Sequence, residues 1–96
     1  MEQTQLARIR SMECALNEAA AAVAGMEAAL ARYTAVLPKL RELEAYYESP
    51  LWLQDYDDDN AGRLHADLAR GVLTEDALYD LLSDNARLLA DLRALQ

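Results

Sequence analysis

Between Ile9 and Tyr47 the apolar residues recur with a heptad period. With Ile9 at position a, the a positions are Ile9, Leu16, Val23, Leu30 and Leu37, and the d positions are Met12, Ala19, Met26, Tyr33, Leu40 and Tyr47. Such a repeat, sustained for about five heptads, predicts an α-helix whose apolar seam meets another helix. Glu44 interrupts it. A helix from about residue 4 to about residue 47 would run ~65 Å if unbroken, roughly twice the diameter of a compact domain of this length. Either it divides, or a second subunit shares it.

Pro38 is the local candidate for a division, because proline removes an amide donor and clashes with the carbonyl one turn earlier. The heptad register continues through it, so a kink is expected rather than a stop. Gly25 costs about 1 kcal/mol relative to alanine in a helix interior, but its alanine-rich flanks favour helix. Ala15, Ala22 and Ala29 at g and Ala20 at e widen the apolar stripe where coiled coils usually carry charged pairs. Ile9, Leu16, Val23, Met26 and Leu30 are the residues expected to form an oligomer seam. Cys14, at position f, lacks the base or helix N-terminus that would activate a thiol.

With 96 residues the chain is read as a single domain with a modest core, which oligomerisation would enlarge. Its net charge of −8, with Lys39 as the one lysine, opposes binding to nucleic acid or to an anionic membrane. A lone cysteine cannot close an internal disulfide. With no recognisable secretion signal, a cytoplasmic protein is expected. The longest apolar run, Ala19 to Met26, falls short of the ~20 residues of a membrane span.

Most of the aromatic side chains gather after the heptads, at Tyr46, Tyr47, Trp52 and Tyr56. Ser49-Pro50 reads as an N-cap followed by proline at the first helical position, predicting a short helix from Pro50 to about Asp57. Trp52 is the natural anchor for a small aromatic core, and the alternative role for such a residue is a binding hot spot. From Glu42 to Asp59 there are seven acidic residues and no basic one. Glu42, Glu44 and Glu48 stand at the C-terminal end of the long helix, where the dipole is already negative. Compensation must come from Arg63 and Arg70 downstream, or from outside the chain. Asp55, Asp57 and Asp59 match the first positions of a calcium loop, but Asn60 replaces its glycine and Ala66 its bidentate glutamate.

Arg63 to Arg70 is expected to form two helical turns with Leu64 and Leu68 facing inward, and Gly71 to supply the left-handed residue that ends them. Thr74 then reads as the N-cap of a last helix, over about residues 74–95. This helix carries Leu78, Leu81, Leu82, Leu88, Leu89, Leu92 and Leu95 as its stripe and Asn85 as its one polar interruption. His65 has no nucleophile or metal-ligating partner in the pattern, and there is no phosphate-binding loop, so neither catalysis nor a cofactor is expected.

Three groups of residues resemble a bacterial family of small helical proteins known only as a domain of unknown function. They are Met12-Glu13, then Tyr46-Tyr47-Glu48-Ser49 with Trp52 and Asp55-Tyr56, and finally Arg70-Gly71-Val72-Leu73-Thr74-Glu75-Asp76 leading into Tyr79-Asp80-Leu81-Leu82. The resemblance implies no activity. It does imply that the Tyr-Tyr and Trp segment meets the Arg-Gly-Val-Leu segment in space, with Arg70 answering the acidic cluster.

The expected architecture is all-α: a long N-terminal helix, a hinge over about residues 48–73 with short helices, and a C-terminal helix packed antiparallel, in a bundle completed by dimerisation. The expected function is a non-catalytic interaction or adaptor module acting as a homodimer. Partner contacts would fall at Tyr46, Tyr47, Trp52, Tyr56 and Arg70. The alternatives are a divalent-metal-responsive module through Asp55, Asp57 and Asp59, and an acidic decoy for a nucleic-acid-binding protein.

Overall fold

In the computed structural model, which describes residues 2–96, three α-helices and one 3-10 turn follow one another: α1 (Gln3–Glu48), α2 (Pro50–Asn60), the 3-10 turn Gly71–Leu73, and α3 (Ala77–Ala94). No strand occurs among the described residues. Pro38 lies inside α1 without ending it, as the continuing heptads predict. Compact packing nevertheless separates two units at that proline, Met1–Leu37 and Pro38–Gln96.

The first unit is helix alone, and its stripe is open to solvent up to Leu30, while Tyr33 and Leu37 are half-buried. Ile9, Met12, Leu16, Val23, Met26 and Leu30 are all exposed, Val23 by 67%. By length and composition α1 also passes for a membrane span, its most apolar window reaching a mean hydropathy of 1.2. The expectation that nothing here approaches a span therefore holds for unbroken apolar runs but not for the helix as a whole. Alanine makes the difference, because it raises hydropathy without building a continuous bulky surface.

In the second unit, α1 ends where Ser49 turns the chain. Its Oγ donates to the Tyr46 carbonyl at 2.7 Å and accepts from the Leu51 amide at 3.3 Å, while Pro50 takes the first helical position with no amide to leave unpaired. Helix α2 runs three residues past Asp57. It stops at Gly62, which adopts φ 72°, a conformation that only glycine takes at no steric cost. The Arg63 amide returns to the Asp58 carbonyl and the Gly62 amide to the Asp59 carbonyl, the paired bonds of a Schellman ending. Such endings usually carry an apolar contact between the two outer residues. Here an ion pair replaces it, with Arg63 Nη1 3.0 Å from Asp58 Oδ1.

Residues 63–70 are turns and bends, not the expected helix, and Leu68 is exposed while Leu64 is half-buried. The His65 carbonyl accepts both the Leu68 amide at 3.2 Å and Arg70 Nη2 at 2.5 Å, so the acceptor that a helix would give to Ala69 is taken. Gly71 opens the 3-10 turn and has no left-handed backbone; the helix-ending glycine is Gly62. Thr74 does not cap α3 either. Its hydroxyl points back to the Gly71 carbonyl at 2.8 Å, and α3 starts after Asp76 without a side-chain cap.

The core is small. Leu73 and Leu78, 6% and 3% exposed, are the buried hydrophobic residues among those described. The 3-10 turn carrying Leu73 touches both α2 and α3, so this one turn joins the two helices.

Candidate functional site

The hinge residues singled out by the sequence meet each other. Trp52 stands on the first turn of α2 with the Tyr47 ring edge-on at a centroid distance of 5.0 Å and the Tyr56 ring stacked at 5.2 Å. Its Nε1 donates to the Val72 carbonyl at 2.9 Å, which ties α2 to the 3-10 turn. Edge-to-face and stacked pairs of this kind add about 0.5–1.5 kcal/mol each beyond the area they bury. Both ring neighbours and the indole donor are thus engaged inside the chain. The segment containing Trp52 and the Arg-Gly-Val-Leu segment do meet.

Tyr46 donates its phenol to Asp55 Oδ2 at 2.5 Å, locking the end of α1 to α2. Partial burial, the hydrogen bond and the adjacent carboxylate push the phenol up to about 12. An acid whose pKa is raised on folding stabilises the fold fully below its unfolded value of about 10 and loses that contribution as pH climbs to 12. Tyr46→Phe is therefore expected to lower stability by about 1 kcal/mol at neutral pH and to flatten the alkaline fall between pH 10 and 12. Urea titrations at stepped pH check both effects.

Arg70 answers the acidic cluster. Its Nε lies 3.0 Å from Asp59 Oδ1, off the direction of a good hydrogen bond, so the contact is chiefly coulombic. With Arg63 on Asp58, Arg70 on Asp59 and Tyr46 on Asp55, three of the four aspartates of α2 have partners within the chain. Asp55, Asp57 and Asp59 are not assembled as metal ligands. They lie on a helix rather than a loop, where alternate residues point to different sides, and no group of metal-binding side chains occurs among the described residues.

The sequence reading missed a groove. Glu44, Tyr47 and Glu48 from the last turns of α1 form one side of an open groove of about 450 Å³, and Tyr79, Leu82, Ser83 and Ala86 of α3 form the other. Among the described residues neither Glu44 nor Glu48 takes part in an ion pair, and the last turn of α1 holds no basic residue. The signal was present in the sequence, in carboxylates placed against the helix dipole, but Tyr79 gave no sign of facing them.

No curated protein and no solved structure matches the chain. The family model of a domain of unknown function, DUF4298, matches residues 9–95, which takes in the α1 stripe, the aromatic hinge and α3. The chain belongs to that family of small helical domains.

Proposed function

We propose that this protein is a non-catalytic helical interaction module that works as a cytoplasmic homodimer, using the α1 stripe as its seam. The observation that carries this reading is the contrast between a buried core of Leu73 and Leu78 and the apolar residues left in solvent: Ile9, Met12, Leu16, Val23, Met26 and Leu30 on α1, and Leu81, Leu88, Leu92 and Leu95 on α3.

The acid–base groups of the hinge support a structural role, because Tyr46, Asp55, Asp59 and Arg70 are engaged with one another. Acidity and a single exposed thiol fit a reducing compartment and a partner other than nucleic acid. Size-exclusion chromatography with light scattering at micromolar concentration tests the reading. A dimeric mass is expected, and Leu16→Lys with Leu30→Lys should give a monomer of reduced helicity, each buried charge costing several kcal/mol. A wild-type monomer that melts cooperatively would overturn the proposal.

A further inference from the structure

Resting on the interaction-module reading but not on the α1 seam, we infer that the groove in the second unit binds an arginine side chain presented by a partner protein. Helical spacing sets both of its sides. Glu44 and Glu48 stand one turn apart on α1 with Tyr47 beside them, and Tyr79, Leu82 and Ala86 recur on α3 at intervals of three and four residues, so each helix gives the groove one face. The result is an open trough of about 450 Å³ with two carboxylates and a ring on one side, and a second ring with apolar neighbours on the other.

Its charges are arranged against local stability. Like charges four residues apart on a helix repel, and these two lie near the C-terminal end of α1, where the dipole is also negative. Nothing in the described residues relieves them. Arg41 and Arg87 are the nearest cations along the two helices; the first forms no ion pair among the described residues, and the second is engaged with Asp84 and Asp91. A cation arriving in the groove gains from both carboxylates and from the dipole together. The rings narrow the choice of cation. Tyr47 is held by the Trp52 ring at a centroid distance of 5.0 Å, so that side is formed before anything binds, whereas Tyr79 leaves 60% of its surface in solvent although Leu82 on the same face is half-buried. A planar guanidinium stacks on such rings while its fork of donors reaches two carboxylates at once, which a compact, strongly hydrated ammonium does less well. An open groove covers only one side of its occupant. That suits a side chain carried on another protein's surface, whereas a free small molecule needs enclosure.

The probe is a capped glycyl-arginyl-glycine peptide, with its lysine and citrulline counterparts, titrated into the unaltered chain and followed by amide shifts in nuclear magnetic resonance. Shifts should gather in residues 44–48 and 79–86 and saturate with a Kd of about 1–10 mM, the lysine peptide binding about threefold more weakly and the uncharged citrulline peptide about tenfold more weakly. Glu44→Gln with Glu48→Gln should weaken arginine binding about tenfold, and Tyr79→Ala about threefold. The double variant loses a repelling pair, so it should unfold at a urea concentration no lower than wild type, and its lost binding is then not lost folding. Glu13→Gln with Glu18→Gln makes the same change of net charge on exposed residues of the first unit and should leave the affinity within about twofold. Absence of saturation up to about 20 mM, shifts gathered at residues 55–59 instead, or equal weakening by the two pairs of substitutions would each overturn the inference. Mass in solution separates this site from the seam. A monomer that binds the arginine peptide keeps the groove and overturns the homodimer, and a dimer that does not bind it overturns the groove alone.

Discussion

Trp52→Ala is expected to lower the stability of the second unit by about 3 kcal/mol, a large part of the roughly 5–10 kcal/mol that a chain of this size holds. The substitution removes the edge-on contact with Tyr47, the stack with Tyr56 and the donor to the Val72 carbonyl together. Because the indole is half-buried, the loss should lie near the low end for a large aromatic residue. Trp52→Phe keeps a ring between the tyrosines and loses the donor, so about 1 kcal/mol is expected from it. Urea unfolding followed by circular dichroism makes the comparison, since the variants remove the only tryptophan fluorophore. If Trp52→Ala and wild type unfold at the same urea concentration, the hinge is not held by this residue.

The second large effect is expected at Leu78. It is the most buried residue of α3, and the 3-10 turn bearing Leu73 is the element that touches α3. Leu78→Ala should cost about 3 kcal/mol, the transfer term of the removed atoms plus the cavity they leave. The loss should be local. Amide exchange is expected to speed up through Ala77–Ala94 and around Leu73, while α1 before Pro38, which belongs to the other compact unit, keeps its wild-type rates. Uniform acceleration over the whole chain would mean that the two units unfold as one.

The two variants also separate the hinge from the seam. Neither Trp52 nor Leu78 lies on the proposed dimer stripe, so Leu78→Ala should leave the mass in solution unchanged as long as α1 stays helical. Leu16→Lys with Leu30→Lys should change that mass without altering the near-ultraviolet signal of Trp52. The aromatic cluster ties α2 to the 3-10 turn within the second unit, whereas the proposed seam lies on α1.

Much of this arrangement could be read from the chain because its causes are local. The seven-residue repeat that starts at Ile9 requires a long helix, and Pro38 falls where the register is strong enough to carry on. Ser49-Pro50 starts α2 by dihedral preference and a side-chain cap, and Gly62 ends it by its left-handed backbone. The excess of carboxylates between Glu42 and Asp59 called for cations close by, and Arg63 and Arg70 supply them to Asp58 and Asp59.

Tertiary structure decided the rest. Residues 63–70 have adequate helix propensity, yet the chain must bring the Val72 carbonyl to Trp52, 20 residues earlier, and Arg70 to Asp59; these contacts draw the segment into turns. Tyr46 and Asp55, nine residues apart and on different helices, share a proton donor and acceptor only because Ser49 folds α2 against the end of α1. The side chains read as a partner surface, Tyr46, Tyr47, Trp52, Tyr56 and Arg70, are each committed within the chain. The groove of Glu44, Glu48 and Tyr79 came from the spacing between two helices instead. Helix starts, stops and apolar faces follow from dihedral preference and periodicity over a few residues. Which side chains are left over for a partner depends on contacts between distant residues, and no period in the sequence encodes them.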